Sequence, residues 1–149
     1  MKACFMGLGY IGLPTAIIAA KHGIEVTGVD INPSVVELTN QGKLHIVEPG
    51  LEVYLQEVVK TGNLKASLKP EVCEAYFMVV PTPFKGNHEP DISYVEAATR
   101  SVLPLLKAGD LYVIESTSPI GTTEKMRDLI YGERRGYLYK RPFSKASAL

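Results

Sequence analysis

The 149-residue chain has no tryptophan, two cysteines, three histidines and no net charge. Each shortage excludes something. With 16 basic residues against 16 acidic, the overall charge favours neither nucleic acid nor an anionic membrane as a partner. No apolar stretch approaches the ~20 residues that cross a bilayer. The opening MKACFMGLGYIGLP breaks its apolar run with glycines and has no cleavage-type end, so no signal peptide is read and a cytoplasmic location is expected. Cys4 and Cys73 are too few for a disulfide framework and stand among apolar residues, so both read as buried reduced thiols. His22, His45 and His88 lack ligand spacing, and no metal site is expected.

What is present is ordinary for one globular domain: 46% hydrophobic and 21% charged residues. Charge is unevenly placed, however. Residues 132–149 carry five basic residues and one acidic, whereas the preceding 131 carry 11 and 15. This basic tail lacks clear helix or strand periodicity, and the domain proper is expected to span residues 1–131.

Within 1–131 the pattern alternates. Strands are predicted at 2–6, 25–30, 64–66, 75–80 and 111–116, from short apolar runs. Helices are predicted at 11–22, 32–42, 48–62, 93–106 and 122–130. Pro14 falls in the first turn of its helix, where a missing N–H does no harm. Lys21 and His22 face the carbonyl end of that helix and Gly23 ends it. Ser93 and Glu96 read as a capping pair. Crossovers of this length predict a Rossmann-type doubly wound parallel sheet of class α/β.

Gly7, Gly9 and Gly12 stand between the first strand and the first helix, where G-x-G-x-x-G has a mechanical meaning. Gly7 permits the tight turn, Gly9 lets the backbone approach a pyrophosphate, and Gly12 lets helix and strand pack closely. The phosphates then meet helix N–H groups at the positive end of the dipole. Asp30 ends the second strand, 21 residues after Gly9, where a carboxylate accepts from both adenosine ribose hydroxyls. It repels the extra phosphate of NADP, and residues 31–36 offer no Arg or Lys to neutralise it. The cofactor expected is NAD.

Two loops fall beyond strand ends, where an open parallel sheet binds ligands: PTPFKGNHEPD (81–91) and STSPIGTTEK (116–125). Thr82, stiffened by Pro81 and Pro83, and Thr117 are expected to contact the ligand. Thr122 and Thr123 read as helix-capping hydroxyls.

Taken together, GLGYIGLPTA, GVDIN, HIVEPGL, VPTPFKGNHEPD and ESTSPIGTTEKM resemble the N-terminal domain of the UDP-glucose/GDP-mannose dehydrogenases, a family of nucleotide-sugar 6-dehydrogenases. HIVEPGL and PTPFKGNHEPD are most similar to its UDP-N-acetyl-D-mannosamine branch, which serves bacterial surface-polysaccharide synthesis. The resemblance runs from Lys2 to about Leu129. It implies NAD-dependent, four-electron oxidation of a UDP-sugar C6 alcohol through a thiohemiacetal on a cysteine, by an enzyme that is a homodimer at full length. It carries the cofactor contacts onto Gly7, Gly9, Tyr10, Ile11, Gly12, Asp30, Thr82 and Thr117. Tyr10 and Ile11 are implied to offer backbone amides, and Glu48 and Pro49 match a loop near the cofactor.

The family's catalytic acid, lysine, asparagine and cysteine lie in segments that this sequence does not match. Neither Cys4 nor Cys73 corresponds to the nucleophile. The chain is therefore expected to hold the cofactor site without the chemistry, and its sheet to stop before the family's last strand, leaving residues 111–116 as an exposed edge. The other reading is a non-enzymatic NAD-binding regulatory module that docks through its basic tail. A short-chain reductase is disfavoured because Tyr137 and Lys140 are one residue too close, and a methyltransferase by the full glycine motif with its stiff VPTP loop.

Overall fold

The computed structural model describes residues 1–133. Five strands, β1 (Lys2–Met6), β2 (Glu25–Val29), β3 (Leu64–Ser67), β4 (Ala75–Met78) and β5 (Leu111–Ile114), form one parallel sheet in the order β3-β2-β1-β4-β5. Helices α1 (Gly12–Lys21), α2 (Pro33–Asn40), α3 (Leu51–Lys60), α4 (Ser93–Val102) and α5 (Thr122–Glu133) connect or follow them. The predicted order of elements is the observed one. The first two residues of the expected basic tail, Gly132 and Glu133, finish α5; the remainder of that tail lies outside the described residues.

Alternation along each strand splits the core in two. Ala3, Phe5 and Val26 face α1 and α3, packing with Leu13, Ile17, Leu55 and Val58. Phe5 stacks on Phe77 of β4, with ring centroids 4.6 Å apart. On the other face Cys4, Met6, Tyr76 and Met78 pack with Val102, Leu106 and Ile130 of the α4–α5 side. The chain winds from β1 to β2 to β3 and then returns, through 68–74, to β4 on the far side of β1. The crevice between β1 and β4 is therefore where the winding reverses, the place where such sheets bind ligands.

Helix ends behave largely as their sequences predict. Asn32 accepts from the Ser34 amide at 3.0 Å and Pro33 opens α2. His22 Nδ1 lies 2.8 Å from the Ile18 carbonyl, and Gly23 has φ +84°. Lys21, by contrast, places its ammonium 3.4 Å from the centroid of the Tyr54 ring on α3. At α4 the expectation fails. Ser93 does not cap: Asp91 Oδ1 accepts from the Ser93 amide at 2.9 Å, and Glu96 instead pairs with Arg100 one turn on. The Glu96 amide, which a capping box would satisfy from the Ser93 side chain, donates instead to the Ile92 carbonyl at 3.0 Å, so the Ser93–Glu96 pattern is coincidental here.

Both sheet edges differ from what strand patterns alone convey. The Asn40 side chain donates to the Ala66 carbonyl at 2.9 Å and accepts from the Ala66 amide at 2.8 Å, occupying the outer edge of β3 as a further strand would. At the other edge, among the described residues, β5 pairs only with β4, and Leu111 is exposed.

Candidate cofactor site

The site is built on the turn between β1 and α1. Gly7 has φ +108°, a left-handed region that side chains resist, and its amide donates to the Val29 carbonyl at 2.8 Å. A Cβ there would sit 2.4 Å from the Val79 carbonyl oxygen, and one on Gly12 would sit 2.0 Å from the Gly7 oxygen. Both positions require glycine for the fold itself. Gly9 does not: a Cβ there meets no atom within 4 Å. The space beside it is open, which is what a pyrophosphate pressed against backbone needs.

Around that space the turn exposes donors. The N-terminal turn of α1 has no side-chain cap. Among the described residues none accepts from the amides of Tyr10 or Ile11, and both side chains are exposed. Unpartnered N–H groups at a helix N-terminus carry a partial positive charge suited to an anion.

Asp30 follows β2 and is half-buried beside the turn. Its Oδ2 accepts from the Leu8 amide at 3.0 Å and its Oδ1 from the Asn32 amide at 2.9 Å. The carboxylate therefore latches the glycine turn to the end of β2. Each oxygen keeps a further lone pair for an outside donor. The latch is a role that spacing alone did not show.

The other two sequence-selected residues meet each other. The Thr82 hydroxyl donates to the Thr117 carbonyl, joining the loops after β4 and β5. Ser116 adds to the joint by hydrogen bonding the Met78 carbonyl at 3.2 Å and the Val80 carbonyl. Thr117 is exposed; Thr82 is half-buried. Thr122 donates to the Pro119 carbonyl at 2.8 Å and is buried, a structural role close to the capping one expected. Beyond Thr82 the chain makes a tight hairpin: Lys85 N donates to Glu89 O at 2.6 Å, Asp91 N donates to Pro83 O at 2.6 Å, and Lys85 pairs with Asp91 at 3.0 Å. Hydrogen bonds from Ser93, then the Lys85 ammonium, hold the Asp91 carboxyl down at about 2. Glu48 and Pro49 are exposed, and the Glu48 carbonyl accepts from Leu51 N at the start of α3.

A glycine turn with an open Gly9, free helix amides and an acid latched at the next strand end is a dinucleotide cradle. The model of the NAD binding domain of the UDP-glucose/GDP-mannose dehydrogenase family matches residues 1–141. The chain belongs to that family. Its cofactor is NAD. Among curated relatives it is 53% identical over 134 residues to a UDP-N-acetyl-D-mannosamine dehydrogenase of Campylobacter jejuni, covering 89% of this chain and 33% of that protein. It is 51% identical over 129 residues to an NDP-N-acetyl-D-galactosaminuronic acid dehydrogenase of Ralstonia nicotianae, covering 87% and 30%. Among solved structures, the UDP-N-acetyl-mannosamine dehydrogenase Cap5O of S. aureus superposes with a TM-score of 0.87 at 39% identity, over 91% of this chain and 33% of that one. The chain thus spans about a third of the length of the relatives it matches. Among the described residues no helix is long and apolar enough to cross a membrane.

Proposed function

We propose that this domain is the NAD-holding part of a nucleotide-sugar 6-dehydrogenase that oxidises UDP-N-acetyl-D-mannosamine to the uronate. The observation that carries the cofactor assignment is the open face of Gly9 beside the free amides of Tyr10 and Ile11. Those two amides hold the pyrophosphate at the start of α1, and Gly9 lets it come close. Asp30 accepts from the adenosine ribose hydroxyls with the lone pairs left over from Leu8 and Asn32, and it turns NADP away. Thr82 and Thr117 border the opposite, nicotinamide-side half of the crevice. When bound, NAD supplies the hydride acceptor. Gly7 and Gly12 act indirectly by letting the turn close.

The substrate reading rests on the UDP-N-acetyl-D-mannosamine dehydrogenases to which the chain is about half identical, and on the HIVEPGL and PTPFKGNHEPD motifs. The nucleophile is not one of this domain's cysteines. Cys4 and Cys73 are buried in the core beneath the α4 face, whereas the glycine turn leaves the carboxyl end of β1. The thiol and the UDP-sugar site belong to the remaining length that the relatives have. The whole enzyme is read as a cytoplasmic homodimer making surface-polysaccharide precursors.

Thermal unfolding of the purified chain with NAD, ADP-ribose or NADP tests the cofactor reading. NAD and ADP-ribose should raise the midpoint and NADP should not; indifference to NAD would overturn it. Grafting residues 1–129 onto the rest of the Campylobacter jejuni relative tests whether this domain serves as the NAD-holding part of such an enzyme. NADH formation on UDP-N-acetyl-D-mannosamine supports the reading, and a folded graft that forms no NADH refutes it.

A further inference from the structure

Cys4 and Cys73, the chain's two thiols, are both buried and belong to one packed cluster with Met6 and Tyr76. The register of β1 and β4 sets Cys4 opposite Tyr76. The Tyr76 phenol oxygen accepts from the Cys73 amide at 2.8 Å, folding the end of the 68–74 link under the sheet face that carries Cys4. The Glu74 amide also donates to the Lys2 carbonyl at 3.0 Å, so the backbone at 73–74 lies alongside β1. The Cys4 thiol hydrogen bonds Met6 Sδ at 3.6 Å, and Cys73 joins Cys4 in the same buried cluster on this face of the sheet. Exposure is unequal: Cys4 is 0% exposed and Cys73 5%, the latter between the exposed residues Val72 and Glu74.

We propose that Cys4 and Cys73 are a peroxide-oxidisable pair that closes to a disulfide tying β1 to the 68–74 link. Cys73 reacts first, being the thiol nearer solvent. Its thiolate sulfur attacks a peroxide oxygen, the O–O bond breaks, and hydroxide leaves to take up a proton. The resulting sulfenic acid is then attacked by the Cys4 sulfur, whose proton goes to the departing hydroxyl. Two thiols lose two electrons, and hydrogen peroxide is reduced to two waters. The Cys73 contact and burial push the Cys4 thiol up. With Cys73 the one of the two that a peroxide in solvent can reach, Cys73 is the attacking group and Cys4 the resolving one.

Cys4 stands in the middle of β1 and Cys73 precedes the amino end of β4, whereas the glycine turn follows the carboxyl end of β1, so oxidation should leave NAD binding in place. The experiment treats the purified chain with hydrogen peroxide, blocks remaining thiols with N-ethylmaleimide and maps the unreduced digest by mass spectrometry. The expected result is a peptide linking Cys4 to Cys73 within one chain, an intact mass lower by about 2 Da, and an unchanged NAD-induced thermal shift. In Cys4→Ala, dimedone should trap a sulfenic acid on Cys73. Two alkylated cysteines, a bridge between chains, or over-oxidised Cys73 without a bridge would each overturn the proposal. The wild-type digest decides the matter even if the variant does not fold.

Discussion

The three motif glycines should respond differently to one added methyl group. At Gly12 a Cβ would lie 2.0 Å from the Gly7 oxygen and 3.4 Å from Val79 Cβ, and at Gly7 it would lie 2.4 Å from the Val79 oxygen with φ at +108°. Backbone must move in both cases, so Gly7→Ala and Gly12→Ala should each cost about 2–4 kcal/mol of stability. Gly9→Ala meets nothing within 4 Å and should stay within about 0.5 kcal/mol of wild type. Its methyl group would instead occupy the space left for the pyrophosphate. Melting with and without NAD separates the two effects. At about 100 times its dissociation constant NAD should stabilise wild type by roughly 2.7 kcal/mol, or about 8–10 °C for a domain this size. Gly9→Ala should melt like wild type without NAD and show almost no rise with it. A Gly9→Ala chain that melts as low as Gly12→Ala, or that keeps its NAD rise, would refute the division of labour argued for the turn.

Three further outcomes are expected. Asp30→Ala should lose the NAD rise and also melt lower without ligand, because the Leu8 and Asn32 amides lose their acceptor; an unchanged unliganded melt would deny the latch. Asn40→Ala should cost about 1–3 kcal/mol in urea titration, since it strips partners from both the N–H and the C=O of Ala66. Asp91 should titrate, by its carboxyl-carbon NMR shift, near 2 and not near its ordinary 3.8. Because the folded value is the lower one, the α4 cap and the 83–91 hairpin contribute fully above pH ~4, weaken below it and lose that contribution as pH falls through about 2.

Local pattern was enough for the elements and their order. Apolar runs, the Asn32–Pro33 start and the Gly23 stop are all settled within a few residues of themselves, as is the glycine turn. What escaped depends on partners far along the chain. Asn40 reads as one more residue of the helix predicted over 32–42, yet its amide serves Ala66, 26 positions on. Asp30 reads as a ribose acceptor, and its bond to Leu8 spans 22 positions. Asp91 was hidden for another reason: Asp and Ser cap about equally well, the Glu96 spacing pointed to Ser93, and only backbone geometry shows which oxygen reaches the Ser93 amide.

The hydroxyls carry the same lesson to the site. Thr82 and Thr117 were selected because each stands just past a strand end, and the fold brings them into direct contact. Thr82 spends its proton on the Thr117 carbonyl, so in the proposed site Thr82 would meet the ligand as an acceptor and the exposed Thr117 hydroxyl would meet it as a donor. With Ser116 clasping the ends of β4 and β5, the crevice wall opposite the glycine turn is held before any ligand arrives. Asp30 does the same on the other wall. Both sides of the crevice are thus set by hydrogen bonds internal to the protein, and ordering of loops adds little to the cost of binding NAD.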